Sequence, residues 1–159
     1  MEPAYIAPTL VYSDAAYDEG SPLSLGFIVF SPRLRRPMAG WASIPADELV
    51  PAFGVLGSYI MQGKAIAAVV PWVHNRELFR DADVLCFVDS QVALGALVGG
   101  ASSSPSLARL ASVWQITYGS VSARVWAEWV ESAANIVDGP SRLLAKWRFT
   151  NTCKELGAT

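Results

Sequence analysis

The stretch "DVLCFVDSQVALGALVGG" (83–100) decides how the rest of the chain is to be read. It opens with an apolar run bounded by acids, the pattern of a strand buried on both faces. A short helical segment follows at once, closed by Gly99 and Gly100 as C-terminal glycines. A doubly buried strand feeding a helix belongs to an α/β sheet whose neighbours return through helical crossovers.

Upstream the period is that of strands. "TLVYSDAAY" (9–17), "SLGFIVFSP" (24–32) and "MAGWASI" (38–44) are short apolar runs separated by turn residues, so an antiparallel meander is expected. The period then changes. Residues 45–78 read as helical, with Pro45 and Asp47 in a first turn. Pro51 and Gly54 are expected to divide this region into a short helix and a long one starting near Ser58. Downstream, "SPSLARLASVWQITYGS" is a helix with Ser104 at its N-cap and Pro105 at its first position. "SARVWAEWVES" (122–132) is a fifth strand, and "DGPSRLLAKWRFTNTCKEL" closes with a helix. The expectation is an α/β fold in the order βββαβααβα: a five-stranded mixed sheet with helices on both faces. Residues 1–8 read as a lead or linker and 9–159 as one domain.

Composition sets outer limits. The 159 residues are 52% hydrophobic and 16% charged, enough for one well-filled core and too apolar for disorder. The net charge of −2 lacks the global basic balance of many nucleic-acid binders. Basic residues do cluster locally, at Arg33, Arg35 and Arg36 and again at Arg142, Lys146 and Arg148. Two cysteines, Cys86 and Cys153, offer neither a disulfide framework nor a zinc site. No apolar run reaches membrane-spanning length and the start is no signal peptide, so a soluble, intracellular chain of cytoplasm or nucleus is expected, not a secreted one.

Three aspartates stand where chemistry is expected. Asp14 ends the first strand, Asp89 ends the fourth, and Asp138 begins the last helix. In a sheet of this order the first and fourth strands are central neighbours, which brings Asp14 and Asp89 together. Clustered carboxylates repel and need a cation. Oxygen ligands of this kind suit Mg²⁺ or Mn²⁺, and two such ions can clamp the attacking and leaving oxygens of a phosphodiester. The competing reading is capping, because Asp89 and Asp138 both precede helices. Asp14 has no helix to cap.

The ordered set "VYSDAA", "GFIVF", "GWAS", "YIMQGKAIA", "CFVDSQVALGALVGG" and "VWAEWVESAANIVDGPSR" resembles a ribonuclease H domain, in particular those attached to reverse transcriptases of retroelements. The likeness runs from about residue 9 to about residue 145. The ending resembles W-V-x-S-x-x-N-x-A-D-x-x-S-R of that branch. The resemblance implies metal-dependent hydrolysis of the RNA strand of RNA–DNA hybrids, with Mg²⁺ or Mn²⁺ held by Asp, Glu, Asp and Asp. Asp14, Asp89 and Asp138 fall on the first, third and fourth of these.

The second ligand belongs in a helical pattern like I-x-Q-x-E-x-x-A. Here the matching residues are Ile60, Gln62, Lys64 and Ala67, so Lys64 stands in place of the glutamate. This changes the charge of the four-residue set from −4 to −2. Two readings follow. One is an active ribonuclease H working through the three aspartates. The other is a catalytically impaired or inactive domain of the same fold that binds hybrids or serves structurally. Lys64 could instead snorkel to solvent, leaving Glu48 as a substitute ligand. Ser132 occupies the place of a histidine found in cellular members, and the only histidine is His74. Expected nucleic-acid contacts are Ser90, Gln91, Asn135, Arg142, Arg33, Arg35 and Arg36. The implied partners are an RNA–DNA hybrid and a reverse transcriptase domain in the same polyprotein, with the domain itself a monomer.

Overall fold

The computed structural model describes residues 6–137. Five strands form one sheet: β1 (Thr9–Ala16), β2 (Leu23–Phe30), β3 (Met38–Ile44), β4 (Asp83–Val88) and β5 (Arg124–Trp129). Their order across the sheet is β3-β2-β1-β4-β5. The first three pair antiparallel as a meander, whereas β1–β4 and β4–β5 are parallel. The mixed five-stranded sheet expected from the sequence is therefore present. The helices are α1 (Ala46–Phe53), α2 (Ile60–His74), α3 (Gln91–Gly99) and α4 (Pro105–Ser120). The closing helix expected from residue 138 lies outside the described residues.

Strand alternation decides which side the helices cover. Val11 and Ala15 of β1, Leu23, Leu25, Phe27 and Val29 of β2, and Val84, Cys86 and Val88 of β4 point to one face. All four described helices pack there. Trp72 of α2 stacks on Phe79 at 4.1 Å and meets Trp114 of α4 edge-on at 6.5 Å. Leu49 of α1 joins Leu23, Leu25 and Ala67 in a smaller cluster nearer the sheet's β3 side. The opposite face carries Tyr12, which stacks on Phe87 at 4.6 Å and meets Phe30 edge-on. None of the described helices is long and apolar enough to cross a membrane.

Two local expectations need adjustment. The break between the first two helices falls at Gly54, whose φ of +80° suits glycine. Pro51 does not break α1; it sits within it. α2 also contains a proline, Pro71, four residues before its C-cap Asn75.

Candidate functional site

The parallel register of β1 and β4 builds the site. Tyr12 lies beside Phe87 and Ser13 beside Val88, so the next step along both strands sets Asp14 next to Asp89. Both carboxylates are withdrawn from water, with side chains 2% and 1% exposed. Two buried carboxylates side by side are costly unless paired with a cation.

Lys64 supplies that cation. Its ammonium Nζ lies 2.7 Å from Asp89 Oδ1 and 3.6 Å from Asp14 Oδ1. The side chain is 14% exposed, so it turns inward to the acids and does not snorkel to solvent. α2 reaches this close to the sheet because residue 63 is glycine. A Cβ there would stand 2.5 Å from Leu23 Cδ1 and 2.9 Å from the Ala15 methyl. Gly63 thus sets the depth from which Lys64 projects. Glu48, the substitute ligand considered from the sequence, is exposed on α1, whereas Lys64 pairs with both aspartates.

Further bonds hold the acids in place. Asp14 Oδ1 accepts from the Ala15 backbone N–H at 2.8 Å. Ser132 Oγ donates to Asp89 Oδ2 at 3.0 Å, so Lys64 and Ser132 grip opposite oxygens of one carboxylate. Burial, reinforced by the neighbouring Asp89, raises the Asp14 carboxyl to about 7, against the lowering effect of Lys64.

The other expected site residues separate into three groups. Ser90, not Asp89, caps α3: its hydroxyl accepts from the Ala93 N–H at 3.1 Å and donates to Met61 Sδ. The capping explanation for Asp89 therefore falls. Gln91 is exposed at the first turn of α3, beside the acids in sequence. Asn135 is buried and acts as a latch. Its amide donates to the Ser13 carbonyl at 2.9 Å, while its Oδ1 accepts from the Val137 N–H. This ties the segment leading to residue 138 onto β1.

Arg33, Arg35 and Arg36 lie in the β2–β3 turn, which the register places beside Leu10 and Phe30, at the other end of β1 from Asp14. The structure does not bring them to the acids. Arg33 Nη1 donates to the Leu78 carbonyl at 3.0 Å, and all three arginines are exposed. Asp138 and Arg142 lie outside the described residues.

Sequence reading missed the grip of Ser132 on Asp89 and the buried contact of Gln62 Nε2 with Ser106 Oγ at 3.3 Å. Both join residues distant in the chain. The only advance signal was the position of Ser132 in the motif and the polarity of Gln62 on a buried helix.

The described residues of this cluster do not suit a divalent ion. Among the described residues no group of three or more His, Cys, Asp and Glu could hold a metal. More directly, the Lys64 ammonium is hydrogen-bonded to Asp89 at 2.7 Å and ion-paired with Asp14 at 3.6 Å, and so close a positive charge repels a divalent cation.

No protein-family model and no curated protein sequence matches the chain. Solved structures do. RNase H1 from the halophilic archaeon Halobacterium salinarum superposes with a TM-score of 0.57 at 16% identity, over 81% of this chain and 89% of that one. The N-terminal RNase H domain of rv2228c from Mycobacterium tuberculosis gives 0.58 at 14% identity, over 89% and 98%. LC11-RNase H1, solved in complex with an RNA/DNA hybrid, gives 0.54 at 9% identity, over 80% and 88%. At such identities these likenesses establish that the chain has the ribonuclease H fold.

Proposed function

We propose that this chain is a ribonuclease H-like domain that recognises RNA–DNA hybrids and whose hydrolytic centre is closed by Lys64. The observation that carries the reading is the ion pair of Lys64 with Asp89 and Asp14. In a metal-dependent phosphodiesterase the carboxylates must be free to hold divalent ions. Here their charge is already neutralised from within. Mg²⁺ or Mn²⁺ would have to displace a paired, nearly buried ammonium, so metal binding at Asp14, Asp89 and Asp138 is weak and cleavage is suppressed. An active enzyme working through the three aspartates would require Lys64 to give up its pairs with Asp89 and Asp14.

Hybrid recognition is supported by the fold and by the solved relative that carries an RNA/DNA hybrid. Recognition of a hybrid means contacting 2′-hydroxyls on one strand and phosphates on the other. Gln91 is exposed beside the acids, and Arg33, Arg35 and Arg36 are exposed about a strand length away, so both could touch one duplex. Arg142 is a further phosphate contact in this reading. Asn135 serves as a positioning residue because its amide is consumed by Ser13. The ending that resembles retroelement sequences supports a place beside a reverse transcriptase domain in the same polyprotein, inside the cell.

The test is fluorescence anisotropy with labelled RNA–DNA hybrid, DNA duplex and RNA duplex, each in EDTA and in Mg²⁺. Preferential binding of the hybrid, unchanged by EDTA and accompanied by no cleavage, is expected. Equal binding of all three duplexes would overturn the recognition role.

A further inference from the structure

The β2–β3 turn, residues 31–37, is tied down on several sides. Thr9 Oγ1 donates to Ser31 Oγ at 3.3 Å, and that oxygen accepts from the Arg33 N–H at 3.2 Å. The Leu34 N–H donates to the Ser31 carbonyl at 3.0 Å, and the Arg33 side chain reaches the Leu78 carbonyl. Pro32 and Pro37 fix two further backbone angles. The turn is thus set before any ligand arrives, and with the start of β1 it frames a cavity of about 260 Å³. Pro8, Leu10, Phe30, Pro32 and Pro37 give this cavity apolar walls, mostly rings. The Phe30 ring is oriented by its edge-on contact with Tyr12. Arg35 and Arg36 line the cavity too, and no acid does. Both arginines are exposed, and among the described residues neither is in an ion pair.

We propose that this cavity binds a nucleoside phosphate whose base is unpaired, with the base against the apolar walls and the phosphate on Arg35 and Arg36. Flat apolar walls suit the face of a planar ring, because stacking on rings needs no particular base. Two neighbouring guanidinium groups suit a phosphate, whose several oxygens accept from both. The volume lies just below the usual range of small-molecule sites, about 300–1,000 Å³, which suits one nucleotide and no more. A base inside a duplex cannot enter, since it must first leave its stack. Two sources supply the required chemistry: a free nucleotide and the unpaired end of a nucleic-acid strand. The choice of a nucleotide over another ring-bearing phosphate rests on the hybrid-binding reading; the cavity and its charges stand without it. The site lies at the far end of β1 from Asp14 and does not involve Lys64.

The test follows amide chemical shifts of the isotope-labelled whole chain during titration with AMP, adenosine, ribose 5-phosphate and inorganic phosphate. AMP should bind with a Kd of about 1 mM or tighter, moving the amides of Leu10, Phe30, Ser31, Leu34, Arg35 and Arg36. Adenosine lacks the phosphate and ribose 5-phosphate lacks the base, so each should bind at least about tenfold more weakly. Arg35→Ala with Arg36→Ala changes exposed side chains only; it should weaken AMP about tenfold and leave adenosine unchanged. Fluorescence anisotropy of a blunt hybrid against one with a single unpaired terminal nucleotide separates the two sources. Tighter binding of the overhang assigns the site to strand ends, and equal binding assigns it to free nucleotides. AMP that binds no more tightly than inorganic phosphate, shifts confined to other residues, or an AMP affinity indifferent to the two alanines would each overturn the proposal. None of these readouts needs the duplex, so a chain that takes AMP but no hybrid would overturn the hybrid-binding role and leave this site standing.

Discussion

The two ends of the central strands treat charge in opposite ways. At the C-terminal ends of β1 and β4, Asp14 and Asp89 are buried and bound to Lys64 at 3.6 and 2.7 Å. At the other end, Arg33, Arg35 and Arg36 are exposed on the β2–β3 turn. A buried charge dictates its neighbours, because an unpaired one is costly to keep. An exposed charge dictates little about the fold and is free to meet a partner. Substitutions should therefore disturb stability strongly at the first end and only binding at the second.

The largest effect should follow Lys64→Met, which leaves two buried carboxylates facing each other with no cation. Breaking a buried pair from one side costs about 3–5 kcal/mol. Chemical denaturation should show that loss at pH 8 and a smaller one at pH 5, where Asp14 binds a proton. A loss below 1 kcal/mol at both values, roughly that of an exposed pair, would erase the contrast between the ends.

Next comes Gly63→Ala. The added methyl meets Leu23 and Ala15, and overpacking of this kind costs about 1–3 kcal/mol. Because the helix must lift, the Lys64 pair should loosen as well, and thermal unfolding would report both.

The pH dependence sharpens the comparison further. Asp14 is raised to about 7 in the folded protein, far above an unfolded aspartate near 3.9. Between these values the folded state holds the extra proton. Its stability therefore falls as pH rises from about 4 to about 7, then levels off. Asp14→Asn should flatten this limb. A parent whose stability rises across the same window would contradict the burial of Asp14.

The smallest effect on stability belongs to the arginine end. Arg35→Ala with Arg36→Ala should leave unfolding within about 0.5 kcal/mol of the parent. Hybrid binding should weaken, and the slope of log affinity against log salt should drop by about 2 if both contact phosphates. An unchanged slope would remove the turn from the interface.

Much of this was legible in the chain. Alternation and turn residues fixed the meander, and the doubly buried run before Asp89 announced the parallel partner of β1. Adjacency of those strands was enough to bring Asp14 and Asp89 together, and the motif around Gln62 marked Lys64 as the residue standing in the glutamate's place. Depth was not legible. That residue 63 must be glycine for Lys64 to reach the acids emerges only when α2 is seated against Leu23. The roles of Ser90 and Asn135 also needed coordinates, since a polar residue beside an acid can contact a ligand or satisfy the backbone. Ser90 caps α3 and Asn135 latches onto Ser13. The arginine turn was legible as a basic cluster but not as the far end of the sheet, because that follows from register.

The most direct measurement is cleavage of a labelled RNA–DNA hybrid in Mn²⁺ by the parent, Lys64→Glu and Asp14→Asn, with Mn²⁺ binding followed by calorimetry on the same samples. The account predicts no cleavage and no measurable Mn²⁺ binding for the parent, with Mn²⁺ binding gained by Lys64→Glu. A parent that cuts the hybrid, and stops cutting when Asp14 becomes Asn, would contradict it.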